Sequence, residues 1–418
     1  MVGVPALRRL GQAMPPTDTS PRPQAATRHA LELIGFGLTL AYVLFLAGSV
    51  VQRNWLIDGA GQPIANDFVN VWAAGKLALE GQPAAAYDWA VHRNVEVAAV
   101  GHDFEGYYAW SYPPTHLFVA AALAALPYLT AALLWLAVTL PAYVAVARGI
   151  VGERIGLMLA CGFPGVIWNM TAGQNGFLTA ALIGGVLLHM ERRPLLAGVL
   201  LGFLTYKPHF GILFPIVLAL DGRWRVIAAA AATAVVLGAA SLLAFGAESW
   251  HAFFAWMPVM SSAVFTDGRA GLYKLQSLFG AVRWLGGGMT AAWIAQGALI
   301  AGAAVAVVAL WHRGASYEIK AAALAVGALL ATPYIYIYDF PVLAIPLAFL
   351  LRLGLREGFL PYELSAMAVA SGLVLVFPYI SMPTGFAAAV IVAAMIARRA
   401  TAEHVVPGNA AMQKIAPP

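Results

Sequence analysis

IGLMLACGFPGVIWNMTAGQNGFLTAALIGGVLLHM, residues 155–190, is 36 residues long and contains no Asp, Glu, Lys or Arg. As one helix it would run about 54 Å, against a bilayer hydrocarbon core of about 30 Å. The run must therefore bend back on itself. AGQNG (172–176) is the expected tip, because Gly173 and Gly176 allow a tight turn there.

Similar charge-free runs cover 33–51, 115–147, 226–247, 284–310 and 364–397. The chain of 418 residues is 61% hydrophobic and only 10% charged, with a mean hydropathy of +0.78. A soluble domain carries about 25% charged residues, so this chain cannot cover itself with polar surface in water. Backbone groups in lipid must be satisfied internally, and the Ala/Leu/Val/Gly runs lack the alternation of barrel strands. The fold class is an all-α polytopic membrane protein. Its net charge of +5 comes from basic residues at span ends, with no basic stripe for nucleic acid. The single cysteine, Cys161, excludes an intramolecular disulfide and a thiolate metal site. Residues 1–29 are polar, Pro-rich and basic and read as a disordered cytoplasmic tail, with a second tail at 399–418.

Basic residues near span ends mark the cytoplasmic face. Arg8, Arg9, Arg22 and Arg28 place the N-terminus inside, leaving 52–114 outside. Residues 115–147 fit one long bent span or two short ones broken near Pro127; reading them as one puts Arg148 and Arg154, Arg192 and Arg193, Arg223 and Arg225, Arg352 and Arg356, and Arg398 and Arg399 on the same face. About twelve spans result, both ends cytoplasmic. The unusual polar motifs then collect on the opposite face, in outer loops that include 52–114 and 248–283.

Lys207, in TYKPHFG, breaks the basic pattern. It stands between two charge-free runs of 13 residues each. Such a helix rises about 20 Å, so the tip is expected to lie recessed in the membrane. A cation there either snorkels to the surface or pairs with an anion such as a lipid phosphate, with His209 beside it. Gln174 and Asn175 of AGQNG can bond a sugar hydroxyl or simply form a turn. TPYIYIYD (332–339) carries Tyr334 and Asp339, and an interfacial aromatic belt is the simpler reading for at least two of its tyrosines. YYAWSYPPTH (107–116) brings Tyr108 and Tyr112, suited to stacking on sugar faces, to the head of the next span. Asp67 opens DFVNVWAAGKLALEG, whose apolar spacing suits an amphipathic helix lying on the membrane. An N-cap is the role that its position favours, and a cap is compatible with catalysis. Asp58 and Asp88 read as solvated loop residues.

The order Asp-Phe after the first span, GQPAAAYD, YPP, GQN, GVLLGFLTYKPH and TPYIYIYD resembles glycosyltransferase family 87, over about residues 30–398. These are polyprenol-phosphate-mannose-dependent α-mannosyltransferases of the GT-C fold. The resemblance implies a multi-pass protein of the bacterial cytoplasmic (inner) membrane with an extracytoplasmic active site. It implies a polyprenyl-phosphate sugar donor and a glycolipid or glycan acceptor. The acidic base of the first outer loop would be Asp67. Lys207 and His209, with Arg269 of the second outer loop, would neutralise the donor phosphate. Tyr108, Tyr112, Gln174, Asn175, Tyr334 and Asp339 would meet sugar or acceptor. No DxD pair follows the first span, so neither a divalent metal nor another cofactor is expected. A transporter or flippase of lipid-linked sugars is the competing reading. No internal repeat and no ionisable residue within the charge-free runs supports a transporter, and a flippase needs no general base. A catalytically dead assembly partner would need neither Asp67 nor Lys207.

Overall fold

The computed structural model describes residues 22–152, 154–269 and 271–405, and side chains from Ala25 to Glu403. The first helices are α1 (Arg22–Val51), α2 (Phe68–Leu79), α3 (Trp89–Val100), α4 (Leu117–Ala124), α5 (Tyr128–Val151) and α6 (Arg154–Gly162). Next come α7 (Gly165–Ala172), α8 (Gly176–His189), α9 (Pro194–Phe203), α10 (Phe214–Leu220), α11 (Trp224–Ser261) and α12 (Leu278–Trp284). The chain ends with α13 (Met289–His312), α14 (Tyr317–Leu330), α15 (Ala344–Glu357), α16 (Glu363–Ile380) and α17 (Thr384–Val405). Short 3-10 turns include Leu204–Tyr206, Pro208–Gly211, Leu272–Lys274 and Ile337–Leu343. Among the described residues no strand forms beyond two isolated bridges within 55–63.

The protein is all-helical and multi-pass. Against about twelve spans expected from charge-free runs, seven described helices are long and apolar enough to cross a membrane alone. An eighth is reached if α6 and α7, bent by 55° at Pro164, form one span. The remaining apolar sequence is in helices of 10–17 residues, α8 and those around α9 and α10 among them, too short to span singly. Residue 115–147 is not one bent helix. It divides between α4, whose eight residues end at Ala124, and α5, which begins after Pro127. The tail assigned to 1–29 is helical from Arg22, because no breaker follows Pro23. The second tail is helical as far as Val405. The rest of both tails lies outside the described residues.

α14 and the segment Ile337–Glu357 form the centre. The latter has 78% of its span buried in protein, against 11% for α1 and α13, which face outward. α8 runs through this core from Gly176 to His189. At its far end the charged residues gather. Tyr317 OH donates to Leu187 O, and Arg352 donates to Ile150 O at 3.4 Å. Arg356 pairs with Glu318 at 2.7 Å, and Arg399 Nε with Glu363 at 2.7 Å. The basic residues assigned to one face thus converge on one end, and AGQNG and TPYIYIYD stand at the other. α11 changes direction at Gly246, whose φ of 76° only glycine adopts without strain, so its second half turns along the outer end.

The two polar hairpins touch backbone to backbone. A Cβ on Gly176 would lie 1.9 Å from the Tyr338 carbonyl oxygen. Gly176→Ala must push the hairpins apart, and we expect it to cost about 1–3 kcal/mol and lower the thermal midpoint in detergent. Gly238→Ala, at a site with open space on α11, should leave the midpoint unchanged or slightly raised.

Candidate active site

A cavity of about 380 Å³ opens at this outer end, lined from six separate parts of the chain. Asp67 and Asn70 come from the start of α2, and Tyr107, Tyr108 and Tyr112 from the loop before α4. Tyr206, Lys207 and His209 come from the recessed hairpin, and Tyr334, Tyr336 and Tyr338 from the central turn. The second half of α11 and the loop after it close the remaining side, with Phe253, Met257, Met260 and Phe265 as an apolar wall.

Asp67 stands at the N-cap position of α2, but its side chain makes no capping bond. Asn66 does that work: its Oδ1 accepts from Phe68 N at 3.0 Å and from Tyr128 OH at 3.2 Å. The cap role favoured from spacing therefore belongs to the neighbouring residue. α2 also packs into the protein more deeply than its amphipathic pattern implies. Eight of its twelve residues are buried, and Gly75 lets it press against the Ala120 carbonyl on α4. The carboxylate of Asp67 is left facing the cavity. Burial pushes its pKa from about 3.8 up to about 7. Lys274 and Lys207 pull it down, while Asp339 and Glu96 push it up.

Lys207 is only 5% exposed and does not snorkel. Its Nζ lies 2.6 Å from Asp339 Oδ1, while Asp339 Oδ2 accepts from Tyr336 N at 3.2 Å. Asp339 is 2% exposed, off the cavity lining, and acts as the counterion of the lysine. The three tyrosines of TPYIYIYD all turn into the cavity, so the interfacial belt expected of at least two of them does not form. They pack along its edge, Tyr334 edge-to-face with Tyr336 at 5.2 Å and Tyr336 stacked on Tyr338 at 5.4 Å between ring centroids.

Gln174 lines the cavity and accepts from Tyr112 OH at 3.2 Å. Asn175 lies behind it, donating to Tyr112 OH at 2.8 Å from outside the lining. Tyr108 and Tyr334 reach the cavity directly. His209 lines it with Nε2 unpartnered. Arg269, half-exposed at the rim, sits 3.4 Å from Asp267 and over the Tyr107 ring. Eight of the ten residues expected at a site thus share one cavity, and Asn175 and Asp339 brace it from behind. Asp88 is not merely solvated, since it caps α3 by accepting from Ala90 N at 2.9 Å.

Several residues were missed. Lys274, Tyr206, Tyr336 and Tyr338 also line the cavity. Lys274 had a readable signal, as a further cation beside Arg269 on the face that should hold few. His116 had none: it is buried, its ring stacked between Trp110 and Tyr206 at 5.7 and 4.7 Å. Among the described residues no three His, Cys, Asp or Glu gather in a way that could hold a metal.

The buried pair has a thermodynamic consequence. Removing one partner leaves an uncompensated charge, so Lys207→Met or Asp339→Leu should each cost about 3–5 kcal/mol of stability. The double variant should recover most of that loss, read from the thermal midpoint of purified protein.

The sequence was compared with known proteins. The model of glycosyltransferase family 87 matches residues 110–333. That stretch holds Tyr112, Gln174, Lys207, His209 and Arg269, while Asp67 precedes it. No curated protein and no solved structure matches.

Proposed function

The chain belongs to glycosyltransferase family 87, and from that premise we propose that it moves a hexose, mannose by the family's best-known chemistry, from a polyprenyl-phosphate carrier to the hydroxyl of a glycolipid or glycan acceptor. The reaction is a single inverting displacement. The acceptor oxygen bonds to the sugar C1 as the bond from C1 to the phosphate oxygen breaks. The electron pair of that bond leaves with the phosphate, and the acceptor's proton passes to Asp67. A β-linked donor gives an α-linked product. Cations at the cavity meet the departing charge, and the tyrosines offer faces to the sugar.

The observation that carries this reading is the carboxylate of Asp67, which makes no capping bond and no ion pair among the described residues, in a cavity that also holds cations. A carboxyl that ionises near neutral pH is matched to accepting a proton there. The apolar wall of Phe253, Met257, Met260 and Phe265 suits a lipid-borne donor better than a free sugar nucleotide. In this proposal the cavity opens on the extracytoplasmic side of the cytoplasmic membrane, away from the basic end. The chemistry needs no divalent metal, because the departing phosphate carries its charge without one.

The decisive measurement is transfer from radiolabelled polyprenyl-phosphate-mannose by membranes holding wild-type protein or Asp67→Asn. We expect the variant to lose about 10²–10⁴-fold in rate. Equal transfer by both would remove Asp67 from the mechanism, and no transfer by wild type would exclude this donor. Wild-type activity should fall on the acid side of about pH 7, where Asp67 is protonated. EDTA should leave the rate unchanged.

The same variant tests the electrostatics separately. The folded carboxyl holds its proton to a higher pH than the unfolded one, so its ionisation works against folding between those values and above them. Asp67→Asn should therefore raise the thermal midpoint at pH 8 and leave it unchanged below about pH 4. An inactive variant that is no less stable than wild type has lost chemistry and not its fold.

A further inference from the structure

Three cations line the cavity, and two are already matched. Lys207 Nζ is 2.6 Å from Asp339, and Arg269 Nε is 3.4 Å from Asp267. Lys274 has no carboxylate partner among the described residues, and its Nζ lies over the ring of its own neighbour Tyr273 at 5.9 Å. Lys274 is nevertheless the cation that acts most strongly on Asp67.

Its backbone is held firmly for an exposed lysine. The turn Leu272–Lys274 is followed by Gln276, which is 2% exposed. Gln276 Nε2 donates to the carbonyls of Tyr273 and Lys274 at 3.0 and 3.2 Å. Its Oε1 accepts from Gly385 N at the start of α17 at 2.8 Å, and its own N donates to Ile335 O at 2.8 Å. Ser277 Oγ adds a bond to Pro333 O at 2.8 Å. The lysine turn is thus tied directly to the tyrosine segment that lines the cavity beside it. A lysine that only faced solvent would gain nothing from this scaffold.

We propose that Lys274 is the residue that binds the donor's phosphate, with Gln276 as the residue that positions it. The inference rests on the transfer reading above and names the residue that meets the leaving group. A phosphate that departs with the electron pair of the C1–O bond gains negative charge, and Lys207 is already neutralised by Asp339. The unmatched ammonium of Lys274 supplies the missing charge-assisted hydrogen bonds. Its flexible stem lets one point charge follow the phosphate as the bond lengthens.

The test uses the full chain in nanodiscs, with polyprenyl monophosphate as probe and uncharged polyprenol as control. Lys274→Met should weaken phosphate binding about ten- to a hundredfold while polyprenol binding is unchanged. Lys274→Arg should restore most of the affinity, and Gln276→Ala should fall between. In transfer assays Lys274→Met should move the acid limb of the pH profile to higher pH, because a cation beside Asp67 is gone, and Lys274→Arg should leave it in place. Equal affinity of wild type and Lys274→Met for polyprenyl phosphate would overturn the proposal. So would equal losses for the phosphate and the alcohol, which would mean that the loop had been disturbed. Wild type that binds the phosphate lipid but transfers no sugar would count against the transfer reading alone, since the binding comparison still scores Lys274.

Discussion

An ammonium and a carboxylate 2.6 Å apart, both shut away from water, hold together the two parts of the chain that shape the cavity. Lys207 belongs to a hairpin and Asp339 to a turn 132 residues later. Each charge alone would be costly to bury, and the pair is tolerated because each satisfies the other. The backbone contact of Gly176 with Tyr338 fastens the AGQNG tip to the same turn. With these joined, Tyr206, Tyr334, Tyr336 and Tyr338 are presented to one space.

The recess itself follows from helix length. α9 and α10 have ten and seven helical residues, so the turn between them is not carried across the bilayer. α11 would run straight on, but its break at Gly246 sends the second half over the opening. There Trp256 donates to the Trp110 carbonyl at 2.8 Å, and this half supplies the apolar wall. The cavity is therefore polar on the side of the short hairpins and apolar on the side of the long helix. That asymmetry suits a molecule with a charged head and a hydrocarbon tail. It also explains how one carboxylate, Asp67, can stay unpaired: its immediate helix is packed by apolar residues and capped by Asn66.

Much of the site was legible before any contact was known. Asp67, Lys207 and the tyrosine-rich turn stood out because polar groups are rare in such a chain, and rarity is informative in a membrane protein. What could not be read was which polar group answers which. Lys207 was expected to face a ligand, but an internal carboxylate reaches it first. Asp67 looked like a cap because Asp at a helix start usually is one, and nothing in the local pattern separates it from Asn66 as the better-placed acceptor. The tyrosines looked like a belt because alternate aromatics occur at any interface; only the direction of the turn aims them inward. Lys274 was overlooked because its place in the cavity depends on packing against segments distant in sequence, Asp67 more than two hundred residues earlier among them.

The class of the protein was determined by composition and run length alone. A chain that is 61% hydrophobic with long charge-free runs that lack the alternation of barrel strands has no stable form but helices in a bilayer, since the backbone must bond to itself there. Charge placement along the chain likewise assigned the basic residues and the polar motifs to opposite ends, because both follow from local sequence. The tertiary structure alone decided how many of those runs are long spans and how many are short recessed helices. It alone decided that Lys207 meets Asp339 and that the Asp67 carboxylate remains free. Those outcomes depend on the distances between side chains brought together by packing, and such distances are not a function of neighbouring residues.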